Sequence, residues 1–176
     1  ERFREDALRL MRAVRFATEL GFAIEEKTHT AIIKNAAHIK AVSFERIRDE
    51  FTKIIMTRVP SKGIEMLRET RLLSHILPEL LEGHGVGQNK HHIYTVWEHN
   101  LKSMDYGAKE KYPFHVRLAA LLHDVGKPRT KRGEGYDSTF YGHDVVGAKM
   151  AVKILERLRF SKEIIENVSK LIRYHL

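Results

Sequence analysis

The sequence predicts an all-α protein, and three observations predict it. Apolar residues recur at three- and four-residue spacing along most of the chain, and glycine or proline closes several of these stretches. No stretch alternates polar with apolar residues in the manner of a half-buried strand, and no repeat period or low-complexity segment interrupts the pattern.

Taken in order, Ala7, Leu10, Met11, Val14 and Ala17 line one face of a first helix that Gly21 terminates. Residues Ile24 to Ile39 continue as a second helix. Ser43 caps a third, with Glu45 in its first turn and Phe44, Ile47, Phe51, Ile54 and Ile55 as its buried stripe. Pro60 ends that segment, Ser61 caps the next, and Leu67, Leu72, Leu73, Ile76 and Leu77 form a short apolar piece before Pro78. The run Gly83 to Lys90 holds three glycines among polar residues and reads as a linker, which divides the chain into residues 1–82 and 91–176. Beyond it, helices are expected around Tyr94 to Tyr106, Pro113 to His123, Asp144 to Leu158 and Ser161 to His175. Between Lys127 and Tyr141 the chain is polar, basic and glycine-containing, as an exposed, mobile loop would be.

At 176 residues the chain has room for one or two compact units with real cores. Hydrophobic content of 43% against 31% charged residues fits a soluble globular protein. No apolar run approaches the roughly 18 residues of a membrane span, and nothing has the pattern of a signal peptide, so a cytoplasmic protein with no membrane partner is expected. The absence of cysteine excludes a disulfide framework and a thiolate zinc site, leaving His, Asp and Glu as the available metal ligands. Lys and Arg outnumber Asp and Glu by 31 to 23, a formal charge of +8 that favours a polyanionic partner. Because the chain opens at Glu1 without a methionine, it is expected to be a piece of something longer.

The chemistry concentrates where an apolar helix, Arg117 to Leu122, runs into His123-Asp124-Val125-Gly126-Lys127. Neighbours inside a helix point about 100° apart, but at a terminus the backbone turns and both side chains can converge. Such a doublet can equally be a capping pair at a helix end. Two further histidines weigh against that bland reading: His99 upstream in Trp97-Glu98-His99-Asn100, and His143 downstream in Tyr141-Gly142-His143-Asp144. Histidines and an aspartate on successive helices are how bundles build metal sites from facing side chains.

The order His99, then His123-Asp124 with Gly126-Lys127, then His143 ahead of Gly147-Ala148, resembles the HD superfamily of metal-dependent phosphohydrolases. That resemblance implies a helical bundle in which His99, His123 and Asp124 bind a divalent metal, and His143 supports a second metal or the phosphate. His123, Asp124 and Lys127 would be its catalytic groups, with Lys127 steadying the phosphate. Imidazole and carboxylate donors leave Mg, Mn, Ni, Co, Fe and Zn all possible. Relatives of this kind usually add a distant carboxylate, yet no aspartate follows Asp144, so the last ligand is expected beyond residue 176. Glu156, Glu163 and Glu166 read more simply as solvated helix residues, whereas His175 falls where two-metal relatives often place another ligand. His29, His38, His75, His84 and His115 have no partner spacing and read as surface or core residues.

Near the start, Glu5, Asp6, Arg9 and Arg12 stand at spacings of three, four and seven, so one helix face would present carboxylates beside guanidinium forks. Solvated intrahelical ion pairs explain such a face equally well. An acceptor beside a rigid donor fork also matches the edge of a nucleobase. The longer run Arg2 to Ala17, followed by Leu20-Gly21-Phe22, Ser43 to Glu50 and Ile76-Leu77-Pro78-Glu79-Leu80, resembles the neck of the bacterial tRNA CCA-adding enzymes and poly(A) polymerases. With the HD region, that resemblance covers almost the whole chain and implies a helical neck followed by an HD bundle. It gives Asp6, Arg9 and Arg12 a role in reading incoming CTP and ATP, makes Glu45, Arg46 and Glu50 braces of the neck, and implies tRNA or other RNA as partner. The glycine-rich loop and paired aspartates of that family's polymerase head do not occur in residues 1–176, so the chain alone is expected to add no nucleotide. A free-standing HD phosphohydrolase acting on nucleotides or cyclic phosphodiesters, and an RNA-binding module with a degenerate HD site, remain as alternatives.

Overall fold

The computed structural model describes residues 2–88 and 93–175. Among these the chain is helical, with a single isolated antiparallel bridge between Arg132 and Thr139 and no strand. It divides into two compact units, residues 1–78 and 79–176. The division therefore falls just before the glycine-rich run. Residues 83–88 belong to the second unit, and the remainder of the run, with His91 and His92, lies outside the described residues.

The first unit opens with α1 (Arg2–Glu5) and α2 (Leu8–Leu20), not with one continuous helix. Asp6 sits at the break and its Oδ1 accepts the Leu8 N–H at 3.1 Å, the local side-chain bond by which aspartate competes with helical continuation. As expected, α2 ends in a left-handed Gly21 (φ 70°). The following segment is α3 (Glu26–Asn35) and then a 3-10 turn, Ala36–Ala41, where one α-helix is expected from the sequence. Ser43 precedes α4 (Phe44–Ile55) at its N-cap position, although its side chain makes no capping bond. In α5 (Pro60–Glu69), Pro60 starts the helix instead of only ending its predecessor; its fixed φ and missing N–H suit the first turn, so Val59 and not Ser61 takes the N-cap position. The short α6 (Leu73–Ile76) follows. Leu10, Met11 and Val14 of α2, Phe51, Ile54 and Ile55 of α4, and Ile64 and Leu67 of α5 are fully buried and form this unit's core. One charge lies in that interior: Glu50 is buried and takes Arg15 Nε at 2.7 Å and Lys53 Nζ at 3.2 Å, with Arg12 Nε at 3.7 Å.

A one-turn helix, α7 (Pro78–Leu81), spans the division. The second unit is then built from α8 (Val96–Lys109), α9 (Phe114–Leu122), α10 (Lys127–Thr130), α11 (His143–Arg157) and α12 (Lys162–Arg173). The N-terminus of α8 is secured twice. Thr95 and Glu98 form a reciprocal capping box, and the Val96 and Trp97 N–H groups donate to the Val86 and Gly83 carbonyls. The part of the glycine-rich run from Gly83 to Val86 is thereby folded onto the start of α8. The stretch 127–141 is more ordered than its composition suggests, since it contains α10, a second 3-10 turn at Gly135–Asp137 and the 132–139 bridge. Leu101 and Met104 from α8, Leu118 and Leu122 from α9, Ile154 and Leu155 from α11, and Val168 and Ile172 from α12 fill the core. No helix among the described residues is long and apolar enough to cross a membrane.

Candidate functional site

In the second unit the ends of four helices deliver five ionisable side chains to one place. His99 stands in the first turns of α8, His123 and Asp124 in the turn after α9, His143 at the first position of α11, and His175 just past α12. The chain stops being helical at His123 because Gly126 and Pro128 follow, and the turn between α9 and α10 aims His123 and Asp124 the same way.

That turn can approach α11 only because two glycines meet there. A Cβ on Gly126 would lie 2.3 Å from the His143 carbonyl oxygen and 2.6 Å from the Gly147 nitrogen, and one on Gly147 would lie 3.4 Å from the His123 carbonyl oxygen. Gly126 thus brings the His-Asp doublet within reach of His143.

The four imidazoles and the Lys127 ammonium surround the Asp124 carboxylate. Its Oδ2 lies 3.3 Å from His123 Nε2, 3.6 Å from His99 Nε2 and 2.7 Å from Lys127 Nζ. Its Oδ1 lies 3.5 Å from both His143 Nε2 and His175 Nε2. The Nε2 atoms of His99 and His123 are 3.0 Å apart. Asp124 is 1% exposed, and neither oxygen has an aligned hydrogen-bond donor. A buried carboxylate so placed is costly unless something cationic takes it. Burial raises the Asp124 carboxyl pKa, but the His123 and His175 imidazoles and the Lys127 ammonium outweigh it and hold the group far below the usual carboxylate range.

Three of the four histidines are oriented by one device. His123, His143 and His175 each place Nδ1 against the carbonyl three residues earlier, Ala120 at 2.8 Å, Phe140 at 2.8 Å and Ile172 at 2.6 Å. A carbonyl can only accept, so Nδ1 carries the hydrogen and Nε2 is left facing the carboxylate as a donor atom for a cation. Burial pushes the His143 pKa down, whereas the Asp124 carboxylate pulls that of His175 up.

These donors form two triads that share Asp124, one with His99 and His123 and one with His143 and His175, the ligand atoms of each lying within 4.8 Å of one another. Donors about 2.1 Å from a tetrahedral ion stand about 3.4 Å apart, and the 3.0–3.6 Å separations within the cluster match that spacing. The donor set fits a divalent metal.

All four residues expected as ligands, His99, His123, Asp124 and His143, are therefore brought together, and His175 joins them. Glu156, Glu163 and Glu166 are exposed and outside both triads. Lys127 is buried, not solvated, and its Nζ also donates to Gln88 Oε1 at 2.6 Å. Gln88 carries no motif, and the sequence offers no signal for its place here beyond its position near the glycines.

The charged face of the first unit is arranged differently. Arg9 is half exposed and pairs with Glu5 at 3.3 Å; Arg12 is half exposed and approaches Glu50. Asp6 lies in the break before α2, not in a helix interior, and pairs with Arg46 at 3.2 Å. Burial opposes the ionisation of Asp6, but the Leu8 N–H and the Arg46 guanidinium hold its pKa below the ordinary value. Asp6 and Arg46, with Glu5, His38 and Val42, line an open cleft of about 350 Å³.

Comparison with known proteins covers both units. Residues 21–83 match the model described as "Probable RNA and SrmB- binding site of polymerase A", and residues 90–176 match the HD domain. The whole chain aligns at 35% identity with the A-adding tRNA nucleotidyltransferase of Deinococcus radiodurans and at 37% with the CC-adding tRNA nucleotidyltransferase of Thermus thermophilus, covering 43% of each. It aligns over 98% of its length at 32% identity with the Multifunctional CCA protein of Nitrosomonas eutropha, covering 42% of that protein. The chain thus spans less than half the length of the curated relatives it matches. Its two matched regions and its end-to-end similarity to these enzymes show that it belongs to the tRNA nucleotidyltransferase and poly(A) polymerase family, with an HD domain as its second unit.

Proposed function

We propose that this chain is the nucleotide-selecting, RNA-binding and HD portion of a tRNA nucleotidyltransferase, and that its HD domain is a metal-dependent phosphohydrolase. The observation that carries the second part is the buried Asp124 carboxylate, which lacks an aligned donor and is ringed by four imidazoles whose Nε2 atoms face it. His99, His123 and Asp124 would hold one ion, and Asp124, His143 and His175 would hold the other or the substrate phosphate. Bound there, a divalent ion would polarise the phosphoryl oxygens and lower the pKa of the attacking water. The protein's own contribution is orientation: carbonyl-held imidazoles that need no rearrangement, a turn fixed by the Gly126–Gly147 contact, and an ammonium at Lys127 to meet phosphate charge.

In the first unit Asp6, Arg9 and Arg12 are the groups that would read the CTP or ATP base, and the cleft beside Asp6 and Arg46 offers room for one. The A-adding and CC-adding relatives support tRNA as the partner, the excess of basic residues suits a polyanion, and a cytoplasmic location belongs to the same reading. The hydrolytic reading is tested by incubating the purified chain with p-nitrophenyl phosphate and bis(p-nitrophenyl) phosphate in Mn²⁺, Ni²⁺, Co²⁺, Zn²⁺ or Mg²⁺. Hydrolysis that requires a metal and is abolished by EDTA is expected, and absence of turnover with every ion rejects it.

A further inference from the structure

We propose that Gln88 is a positioning residue for Lys127, holding its ammonium at the edge of the His/Asp cluster as a phosphate-binding group; this rests on the phosphohydrolase reading of that cluster. Gln88 is 7% exposed, and both ends of its amide are engaged. Oε1 accepts from Lys127 Nζ at 2.6 Å, and Nε2 donates to the Tyr94 carbonyl at 3.1 Å. The orientation of the amide is determined by its neighbours, because an ammonium cannot accept and a carbonyl cannot donate.

Tyr94 immediately precedes Thr95, whose capping box with Glu98 pins the start of α8, and His99 follows one turn later. A single buried side chain therefore ties the helix that presents His99 to the lysine that follows the His-Asp doublet. The backbone of the same run is anchored by Val86 and Gly83, whose carbonyls accept from Val96 and Trp97, and Gly87 accepts from Lys131.

An ammonium has three N–H donors. Among the described residues, Gln88 takes one, and Asp124 Oδ2 lies 2.7 Å from Nζ as its ion-pair partner. A divalent ion that draws on Asp124 competes directly with Lys127 for that oxygen. A long, flexible lysine that lost its carboxylate would otherwise turn toward water. The bond to Gln88 does not depend on Asp124, so it keeps the ammonium beside the cluster with donors to spare for a phosphate oxygen.

The test separates position from charge. Gln88→Leu keeps the volume and removes the acceptor; Gln88→Glu keeps the acceptor and adds a negative charge. The readouts are the water-protected Lys127 ammonium signal by NMR in metal-free protein, Mn²⁺ affinity, and the affinity of Mn²⁺-loaded protein for inorganic phosphate. Wild type should show the protected signal; Gln88→Leu should lose it and bind phosphate about tenfold more weakly, the worth of one charge-assisted bond, with Mn²⁺ affinity within about threefold. Gln88→Glu should retain the signal yet also bind phosphate more weakly. Lys127→Ala should lose as much phosphate affinity as Gln88→Leu, and the double variant no more than either. A retained signal in Gln88→Leu, or additive losses in the double variant, overturns the positioning role alone. Failure of Mn²⁺-loaded wild type to bind phosphate overturns both this role and the phosphohydrolase reading.

Discussion

The two units each enclose a buried carboxylate among cationic or basic side chains, and they treat it in opposite ways. Glu50 in the first unit is fully served: Arg15 and Lys53 donate to it directly, and Arg12 lies close by. Asp124 in the second unit is crowded by four imidazoles and a lysine, yet neither of its oxygens receives an aligned hydrogen bond. Similar residue types build a structural ion-pair network in one place and an under-coordinated anion in the other. The distinction lies in where the donors point. Guanidinium and ammonium groups at Glu50 end on the carboxylate, whereas the rings of His123, His143 and His175 are held at Nδ1 by backbone carbonyls, so that in the neutral ring Nε2 is left as a lone-pair donor for a cation beside Asp124.

The largest effect that would sharpen this contrast is expected at Glu50. Glu50→Ala removes the buried acceptor that Arg15 and Lys53 share, leaving Arg15 to its ion pair with Glu19, and should lower unfolding stability by about 3 kcal/mol, measured by urea denaturation. Next is Gly126→Ala, whose Cβ would collide with the His143 carbonyl oxygen and the Gly147 nitrogen. Forcing that backbone contact apart should cost about 2 kcal/mol and weaken metal binding as well, because it separates His123 and Asp124 from His143. Smallest is Arg9→Ala. Its ion pair with Glu5 is exposed, so stability should change by no more than about 0.5 kcal/mol. In a complete nucleotidyltransferase the same change is expected to blur CTP and ATP choice more than it weakens tRNA binding.

Much of this was legible in the sequence. The helical periods of Leu10 to Ala17 and of Phe44 to Ile55 place the first core, and the order of His99, His123-Asp124 and His143 points to the cluster, because such ligand types seldom recur by chance at the ends of apolar helices. What remained hidden depends on backbone geometry. The carbonyls that orient His123, His143 and His175 have no residue signature. Gln88 reaches Lys127 across 39 positions from a run whose glycines suggest a linker. The break at Asp6 has no signal in the spacing, because Asp6 to Arg9 fits a continuous helix, while the Asp6 carboxylate prefers the Leu8 N–H.

If the Asp124 cluster is a metal centre and not a helix terminus with incidental histidines, loss of its shared carboxylate must weaken ion binding. Calorimetric titration of the metal-free chain with Mn²⁺ and Ni²⁺, wild type beside Asp124→Asn, tests it most directly. Wild type is expected to bind at least one ion per chain, and Asp124→Asn to lose at least about a hundredfold in affinity, because the shared ligand of both triads is removed. Equal affinity in the two proteins, or no saturable binding by wild type, would mean that the Asp124 cluster is not a metal centre.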